Sequence, residues 1–409
     1  MYRRSKLILL SLCGLLVCST ITSAFALESQ KLPIEKLRVF SEAFGRIQSD
    51  FIEPVDGDKL INAAISGMVN AIDPTGSYLD AADFRTLVQG IDAASVGVEM
   101  GIKAGKYKII SPIEDAPAYR AGIKAGDCLI RLNGKETSSV TFKELQALLR
   151  GKVGSPIEIA VEREGVSQPL VFQMKREVVK IQSVKPKLIE PGYGYIRITR
   201  FEEDTGASFV GSLKTLYLEN KRPLDGLILD MRNNPGGLLT AAIAVSAVFL
   251  PDNALVTYTE GRSEDARMRL TSSKENWLRK GEEDYWHDLP QAVKLVPLVV
   301  LVNRGSAAAP EIVAGALQDH KRAIVVGENT FGKSTVSTVF PLSSDTAIKI
   351  TTAHWHTPNG TRITDKGIKP DVEVKPKTTG KNFQLGTQED YVYEQAIYLL
   401  KGISEQKLH

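Results

Sequence analysis

The sequence predicts an α/β (α+β multidomain) chain: a helical N-terminal unit, a small β-rich module, and a core with a mixed sheet covered by helices. Three observations carry that expectation. Apolar residues recur at helical spacing between Ile34 and Val88, the period changes to that of strands around Ser95, and strand and helix patterns alternate from Tyr193 onward. The 409 residues suffice for two or three domains with sizeable cores. With 43% apolar and 24% charged residues, the composition is that of an ordinary soluble globular protein.

Arg3, Arg4 and Lys6 precede the apolar run Leu7–Ile21, and Ala24-Phe25-Ala26 is an A-x-A cleavage site. Residues 1–26 are therefore expected to be a secretory signal peptide, and the protein to be exported to the periplasm. A lipoprotein anchor at Cys18 is disfavoured, because Val17 stands where a small residue is wanted. Cleavage after Ala26 removes three positive charges and no negative ones, which takes the formal +3 to 0. A neutral mature chain gives no footprint for nucleic acid or an anionic membrane, and no stable membrane span is expected after cleavage. Cys13 and Cys18 leave with the signal, so Cys128 stands alone and no internal disulfide is expected. Its apolar neighbours Leu129 and Ile130 make it a packing residue rather than a reactive one.

The elements follow in order. Ile34–Phe51 reads as an amphipathic helix with Leu37, Phe40, Phe44 and Ile47 on its stripe. Lys59–Ile72 is a second helix, Asp73–Leu79 a turn, and Ala81–Val88 a short helix; together residues 27–92 form the N-terminal helical region. Val96–Ile102, Lys108–Ser111, Cys128–Leu132, Ile157–Arg163 and Pro169–Met174 read as strands, with helices at Ala116–Ala121 and Phe142–Leu149. These make one module over residues 93–178. In residues 179–376, Gly194–Ile198, Gly226–Asp230, Leu255–Thr259, Leu298–Val302, Thr338–Leu342, Ala347–His354 and Val372–Val374 are strands, with helices at Ala207–Asn220 and Leu238–Phe249. The polar insert Gly261–Leu289, with Trp277 and Trp286, is expected to form a lid or surface helix. Asp390–Leu400 is a closing helix on the tail, residues 377–409.

Three motifs invite chemistry. Gly327-x-x-x-x-Gly332-Lys333-Ser334 spells a phosphate-binding P-loop, with Asp230 as its acidic partner. Such a loop must open a helix, whereas Thr335–Pro341 is β-branched and ends at proline, so no nucleotide cofactor is expected. His354-Trp355-His356 places two imidazoles on one face of a strand, but no third ligand stands at a recognisable spacing, so no metal is expected. Gly305–Pro310 is a small-residue turn between strand and helix, a corner suited to presenting a nucleophile beside backbone N–H groups, and here it holds alanines. Pro310 suits the first helical position and Glu311 the positive helix end.

In the β-rich module, Asp115-Ala116-Pro117-Ala118-Tyr119-Arg120-Ala121-Gly122-Ile123-Lys124-Ala125-Gly126-Asp127 followed by Ile130-Arg131-Leu132-Asn133-Gly134-Lys135 resembles a PDZ domain. That resemblance implies a groove that takes a C-terminal peptide as an added strand, with its carboxylate loop at Ser95, Val96, Gly97 and Val98. Related processing proteases approach this loop with Phe and Gly; here Asp92-Ala93-Ala94 stands instead.

Further motifs widen the resemblance. Asp230-x-Arg232-x-Asn234-Pro235-Gly236-Gly237, Ser306-Ala307-x-Ala309-x-Glu311-Ile312 with Gln318-Asp319, Gly327-Glu328-x-Thr330-Phe331-Gly332-Lys333, Thr357-Pro358-Asn359-Gly360 and Lys366–Asp371 are similar to those of C-terminal processing peptidases, the S41 serine protease family. The resemblance covers roughly Ile34 to Pro376. It implies a Ser–Lys dyad: a buried lysine, held neutral by desolvation, takes the proton of a serine that attacks a peptide carbonyl. Lys333 matches the general base. Backbone amides of Gly236, Gly237 and Ala309 would form the oxyanion hole. The family's serine falls 25 residues before the lysine, on Ala308, and the lysine-orienting glutamine falls on Ser337. Ser306 would point away from the oxyanion donors, and Ser334 and Ser337 lie on the lysine's own segment, so none of them is expected to substitute.

Two explanations of Ala308 stay open: an inactivating change in an otherwise active protease, or a degenerate member that retains its peptide-binding parts. The lone Ala308 change favours the first; Ser337 and the altered PDZ loop favour the second. The implied partners are peptide or protein C-termini, with an adaptor protein and a homo-oligomer as further expectations. The rival to an exported processing peptidase disabled at Ala308 is a non-catalytic peptide-binding scaffold, a pseudoprotease.

Overall fold

The computed structural model of the protein describes residues 32–89, 94–179, 181–282, 284–286, 289–364, 366–376 and 385–406. The expected signal peptide, Asp92 and Ala93 lie outside the described residues. The chain divides into two units, residues 1–61 and 62–409. In the first, α1 (Ile34–Asp50) follows Pro33, and its apolar residues Leu37, Phe40 and Ile47 stand exposed. The next helix, α2 (Gly57–Ile72), starts in this unit, with Phe44 and Gln48 beside Gly57.

The second unit begins with a small correction. Within the expected turn Asp73–Leu79, only the first half turns. Asp73 accepts the Thr75 N–H and hydroxyl at 2.9 and 2.7 Å, and Ser77–Leu79 is already a strand, β1. The helix α3 (Ala81–Gln89) follows it.

The β-rich module then builds its own core. Its strands are β2 (Ala94–Ser95), β3 (Val98–Lys103), β4 (Lys106–Pro112), β5 (Cys128–Leu132), β6 (Lys135–Glu136), β7 (Arg150–Gly151), β8 (Pro156–Glu162) and β9 (Leu170–Lys175). The main sheet runs β3-β4-β5-β8-β9, and β2 pairs with β7. Helix α4 (Pro117–Ala121) begins with its proline, whose missing N–H costs nothing there, and ends at Gly122 with φ 92°. Helix α5 (Phe142–Leu149) is fixed by a capping box: Glu144 N–H donates to Thr141 Oγ1, and Thr141 N–H donates to Glu144 Oε2. Val96, Ile109, Leu129, Leu145, Ile159 and Val161 are buried between sheet and helices. Asp127 of the Ala-Gly-x-x-x-Gly-Asp segment is buried, takes the Lys124 N–H, and is paired twice by Arg163 at 2.7 Å. Cys128 is buried, as its apolar neighbours predicted.

The remaining strands are β10 (Val184–Glu190), β11 (Tyr193–Ile198), β12 (Gly226–Asp230), β13 (Leu255–Gly261), β14 (Arg269–Thr271), β15 (Leu298–Val302), β16 (Ile324–Gly327), β17 (Thr335–Pro341), β18 (Ala347–His356) and β19 (Val372–Glu373). Helices α6 (Thr205–Asn220), α7 (Leu239–Phe249), α8 (Ala309–Asp319) and α9 (Tyr391–Gln406) complete the core. The central sheet runs β10-β11-β12-β15-β16-β19, parallel except for β10 at one edge. Strands β12 and β15 are buried throughout, as continuous apolar runs in a sheet covered on both faces should be. One face packs against α6, α7 and α8. The other is covered by α9, through Val392, Tyr393, Ala396 and Leu400. The segment read as a tail is thus the second layer of the core. A separate antiparallel sheet joins β1, β18, β13 and β14, with β17 on the other side of β18.

The insert Gly261–Leu289 departs from expectation. Its described residues form β14 and 3-10 turns rather than an α-helix, and Trp277 is buried, stacked on Trp286 at 4.3 Å, with its N–H donated to Ser272 O. Both tryptophans anchor the insert to the core.

Candidate active site

In an open parallel sheet, ligand sites form beyond the carboxyl ends of the strands. Three loops leave those ends side by side here: Met231–Gly237 after β12, Asn303–Ala308 after β15, and Glu328–Ser334 after β16. They hold one another. Ala307 N–H donates to Asn234 O, Phe331 N–H to Ser306 O, and Asn233 N–H to Asn303 Oδ1. Glycine is obligatory at Gly327, where φ is 128° and a Cβ would meet Val302 O at 2.0 Å.

Ala308 sits at the turn into α8 with φ 58° and ψ −106°, a conformation that costs a non-glycine residue about 1–3 kcal/mol and persists only when its surroundings impose it. The main constraint is Glu311. Its carboxylate is fully buried and accepts four hydrogen bonds: from Ala308 N–H (2.8 Å), Lys333 N–H (2.9 Å), Gly332 N–H (2.7 Å) and Thr330 Oγ1 (2.5 Å). Burial pushes this carboxyl above the usual range, and the four donors pull against that. One carboxylate thereby fastens the Ala308 corner to the Thr330–Lys333 loop.

The amides that would hold phosphates in a P-loop are thus spent on Glu311, and β17 follows in place of a helix. Glu311→Gln is expected to destabilise by about 2–4 kcal/mol, because an amide NH₂ must then face backbone N–H donors. A denaturant midpoint within error of the parent's would refute this assignment.

The lysine differs from expectation. The resemblance implied a buried amine, but the Lys333 side chain is exposed, and among the described residues its amine has no hydrogen-bond or ion-pair partner. Lys349 of β18 is half-buried nearby; burial first, and the charge of Lys333 second, hold its ammonium below the ordinary lysine value. Ser337 is exposed on β17, beside a register shift between Val336 and Ser337. Ser306 is fully buried, with its hydroxyl donated to Met231 O at 2.8 Å and accepting from Asn303 N–H. Ser334 is buried and hydrogen-bonded to His354 Nδ1 at 3.2 Å. His356 Nε2 lies 3.5 Å from Glu260.

The glycine turn abuts the corner. A Cβ on Gly236 would stand 3.2 Å from Ala308 Cβ and 3.6 Å from Ala309 N, and one on Gly237 would meet Phe201 O at 2.0 Å. The Gly236 N–H donates to Asn234 Oδ1 at 2.9 Å. The N–H groups of Gly237 and Ala309 have no acceptor among the described residues.

Sequence reasoning passed over two features. One is Glu311 as the fastener; its place three residues after the corner, where a capping carboxylate reaches back, was the available signal. The other is a buried charge network behind the turn. Arg232 spans Asp230 and Asp390, Arg197 links Asp230 to Glu114 of the β-rich module, and Tyr195 donates to Asp230.

The β-rich module leans on these loops. Ser111 Oγ donates to Asn233 O at 2.7 Å, Lys103 Nζ to Phe331 O at 2.6 Å, and Ile110 packs with Ala307 and Phe331. In its carboxylate loop, Val96 is buried and its carbonyl takes the Ala118 N–H, while Gly97, at φ 73°, donates its N–H to Ser95 Oγ at 3.2 Å. Val98 opens β3 opposite Pro112.

Comparison with known proteins agrees with this architecture. The profile of peptidase family S41 matches residues 192–374, that of the PDZ domain residues 108–163, and that of the activating protease CtpB N-terminal domain residues 19–83. The chain is 37% identical to a carboxy-terminal-processing protease of Bartonella bacilliformis, across 87% of this chain and 80% of that protein. It is 32% identical to the carboxy-terminal processing protease CtpA of Bacillus subtilis, across 92% and 78%. The photosystem II D1 C-terminal processing protease superposes with a TM-score of 0.68 at 27% identity, covering 86% of this chain and 97% of that one. With a PDZ domain leaning on the loops of an S41 core, and with that degree of identity to its relatives, the chain belongs to the carboxy-terminal processing proteases of peptidase family S41.

Proposed function

We propose that this protein is an exported, periplasmic member of the family that binds peptide or unfolded-protein C-termini through its PDZ domain and does not cleave them as the chain stands. One observation carries the reading: Ala308 occupies the strained corner where the family's serine would be, and nearby serines are engaged elsewhere. Ser306 is locked to Met231 O, and Ser334 to His354. A Ser–Lys mechanism needs the hydroxyl that the lysine deprotonates, so Lys333 alone supplies a base with no nucleophile. The Glu311 clamp and the unspent N–H groups of Gly237 and Ala309 support a scaffold that keeps the layout of a peptide-cleaving cleft. The relatives' names specify carboxy-terminal processing, which supports C-termini as the ligand class.

The test pairs binding with turnover. An unfolded substrate protein with a free C-terminus should bind and remain intact over hours, and amidating that terminus should weaken binding. Robust turnover that Lys333→Ala abolishes would sink the non-cleaving reading, because it would demand a nucleophile in the same cleft. A pure binding scaffold is the second reading; it differs in predicting no gain of cleavage from Ala308→Ser, while removal of Ser95–Arg176 should abolish partner binding.

A further inference from the structure

We propose that a cationic notch in the antiparallel sheet, apart from both the PDZ loop and the Ala308 corner, recognises acidic side chains, Asp or Glu, of the polypeptide this protein binds. This deepens the peptide-binding reading above, on which it rests, by naming the side chains of the ligand. The notch follows from strand register. Strand β17 runs along one edge of β18 from Ala347 to His354. On the other edge β1 covers only Ala347–Lys349 and β13 only Ala353–His356, so residues 350–352 have no strand partner there. A cavity of about 500 Å³ opens at this gap, with Glu260, Arg262, Arg267, Thr351, Ala353 and His354 in its lining. The Thr351 N–H is already donated to Asp73 Oδ2 at 2.7 Å, so the gap does not take a peptide by main-chain pairing. Recognition there falls to the side chains.

Those side chains are unbalanced in charge. Arg262 and Arg267 are exposed and have no ion-pair partner among the described residues. Glu260 is the one carboxylate in the lining, and its Oε2 lies 3.5 Å from His356 Nε2. Arg267 is also held in orientation: its Nε donates to Gly261 O at 3.1 Å, which leaves both Nη groups for a ligand. The loop carrying the arginines is fixed against the sheet. Ala266 is buried, Thr259 Oγ1 donates to Ala266 O at 2.8 Å, and a Cβ on Gly261 would stand 2.5 Å from Thr352 O. His354 is half-buried on β18; with its Nδ1 engaged by Ser334 Oγ at 3.2 Å, Nε2 is the nitrogen left for a ligand. Two guanidinium groups against one carboxylate favour an anion, and a carboxylate matches the paired N–H donors of a guanidinium. Position sets the source of that anion. Glu260, His354 and Thr335 form one cross-strand row, roughly 10 Å wide at the usual strand spacing, that ends two residues from Lys333. An acidic residue of a polypeptide lying along the candidate cleft therefore comes within reach of the notch.

The experiment uses the full chain with glycine amides labelled for NMR, so that Gly261 reports on the notch and Gly97 on the PDZ loop. The probe is a short peptide of alanine and glutamate ending in valine, acetylated and amidated so that no terminal carboxylate competes. Expected is a shift of Gly261 that the glutamine counterpart does not give, with Gly97 unmoved. Arg262→Gln combined with Arg267→Gln should weaken the Gly261 response at least about tenfold and leave the melting temperature unchanged, because both side chains are exposed. A silent Gly261, equal shifts with the glutamate and glutamine peptides, or an unaltered response in the double variant would overturn the acidic notch. Inorganic phosphate reproducing the Gly261 shift at the peptide's own concentration would overturn it in favour of a general anion site. The same peptide with a free C-terminus separates the two readings. Gly97 shifting without Gly261 would sink the notch alone, and Gly261 shifting without Gly97 would sink the PDZ reading alone.

Discussion

Replacing Arg232 by methionine is expected to cost roughly 3–5 kcal/mol and to lower Tm by on the order of 10 °C, the largest stability loss among the changes considered. Arg232 is only 3% exposed and fills the space between two carboxylates. Its Nη2 donates to Asp230 Oδ2 at 2.6 Å and to Asp390 Oδ2 at 2.5 Å, and its Nη1 to Asp390 Oδ1 at 2.8 Å. Methionine would remove the guanidinium bonds to Asp390, which keeps the Gly386 and Tyr393 N–H groups, and would leave Asp230 with Tyr195, the amide of residue 232 and Arg197 at 3.4 Å. Stranding a buried charge costs far more than an ion pair contributes, and that asymmetry sets the size of the effect. Because Asp390 immediately precedes α9, the loss should also loosen the helix covering one face of the central sheet.

The same network fixes the pH dependence. Burial alone would raise the Asp230 pKa, but the charges of Arg232 and Arg197 hold it below the ordinary value; for Glu114, burial is likewise outweighed by Arg197 and Lys185. Folded pKa values below the unfolded ones mean stability that is present above about pH 4 and lost as pH falls through the folded values. The gap between parent and Arg232→Met should therefore narrow on acidification from about pH 7 to about pH 3. A gap independent of pH would show that the arginine acts through packing alone.

Much of this architecture was legible before any coordinates. The continuous apolar runs Gly226–Asp230 and Leu298–Val302 read as short strands, and the structure makes them parallel neighbours; the Ala-Gly-x-x-x-Gly-Asp segment carried the PDZ resemblance, and the structure pairs its Asp127 with Arg163. What escaped notice lacked a periodic signature. Strand β10 carries Lys185-Pro186-Lys187, a polar, proline-bearing stretch tolerated because it lies at a sheet edge. At three residues, β1 is too short to show alternation, and it exists because β18 offers it a partner. The apolar face of α9 looks like that of any amphipathic helix until one knows that a sheet face lies uncovered. In the site, the strand–turn–helix corner and the alanine at position 308 could be read directly. The exposure of Lys333 could not, because a lysine's burial depends on what packs over its loop, and here Phe331 rather than Lys333 turns inward against Ile110.

Placing a serine at position 308 tests the non-cleaving reading proposed above. Ala308→Ser is expected to raise cleavage of an unfolded substrate by at least about 10³-fold over the parent, since losing a catalytic serine costs on the order of 10⁶ in kcat. The gain should fall short of full recovery for two reasons. Lys333 is exposed, so nothing packed over its side chain holds the amine against the hydroxyl it must serve. By the resemblance, Ser337 also takes the place of the family's orienting glutamine, and it lies on the strand with the register shift. Adding Ser337→Gln to Ala308→Ser should therefore improve kcat by a further ~10-fold with little change in KM, because it acts on the base and not on peptide binding. Lys333→Ala in the same background should remove the gained activity. If a folded Ala308→Ser, Ser337→Gln protein still cleaves nothing, the cleft has drifted beyond the roughly 1 Å tolerance of catalytic geometry. Its retained features, the Glu311 clamp and the two unspent N–H groups, would then have to be explained by binding alone.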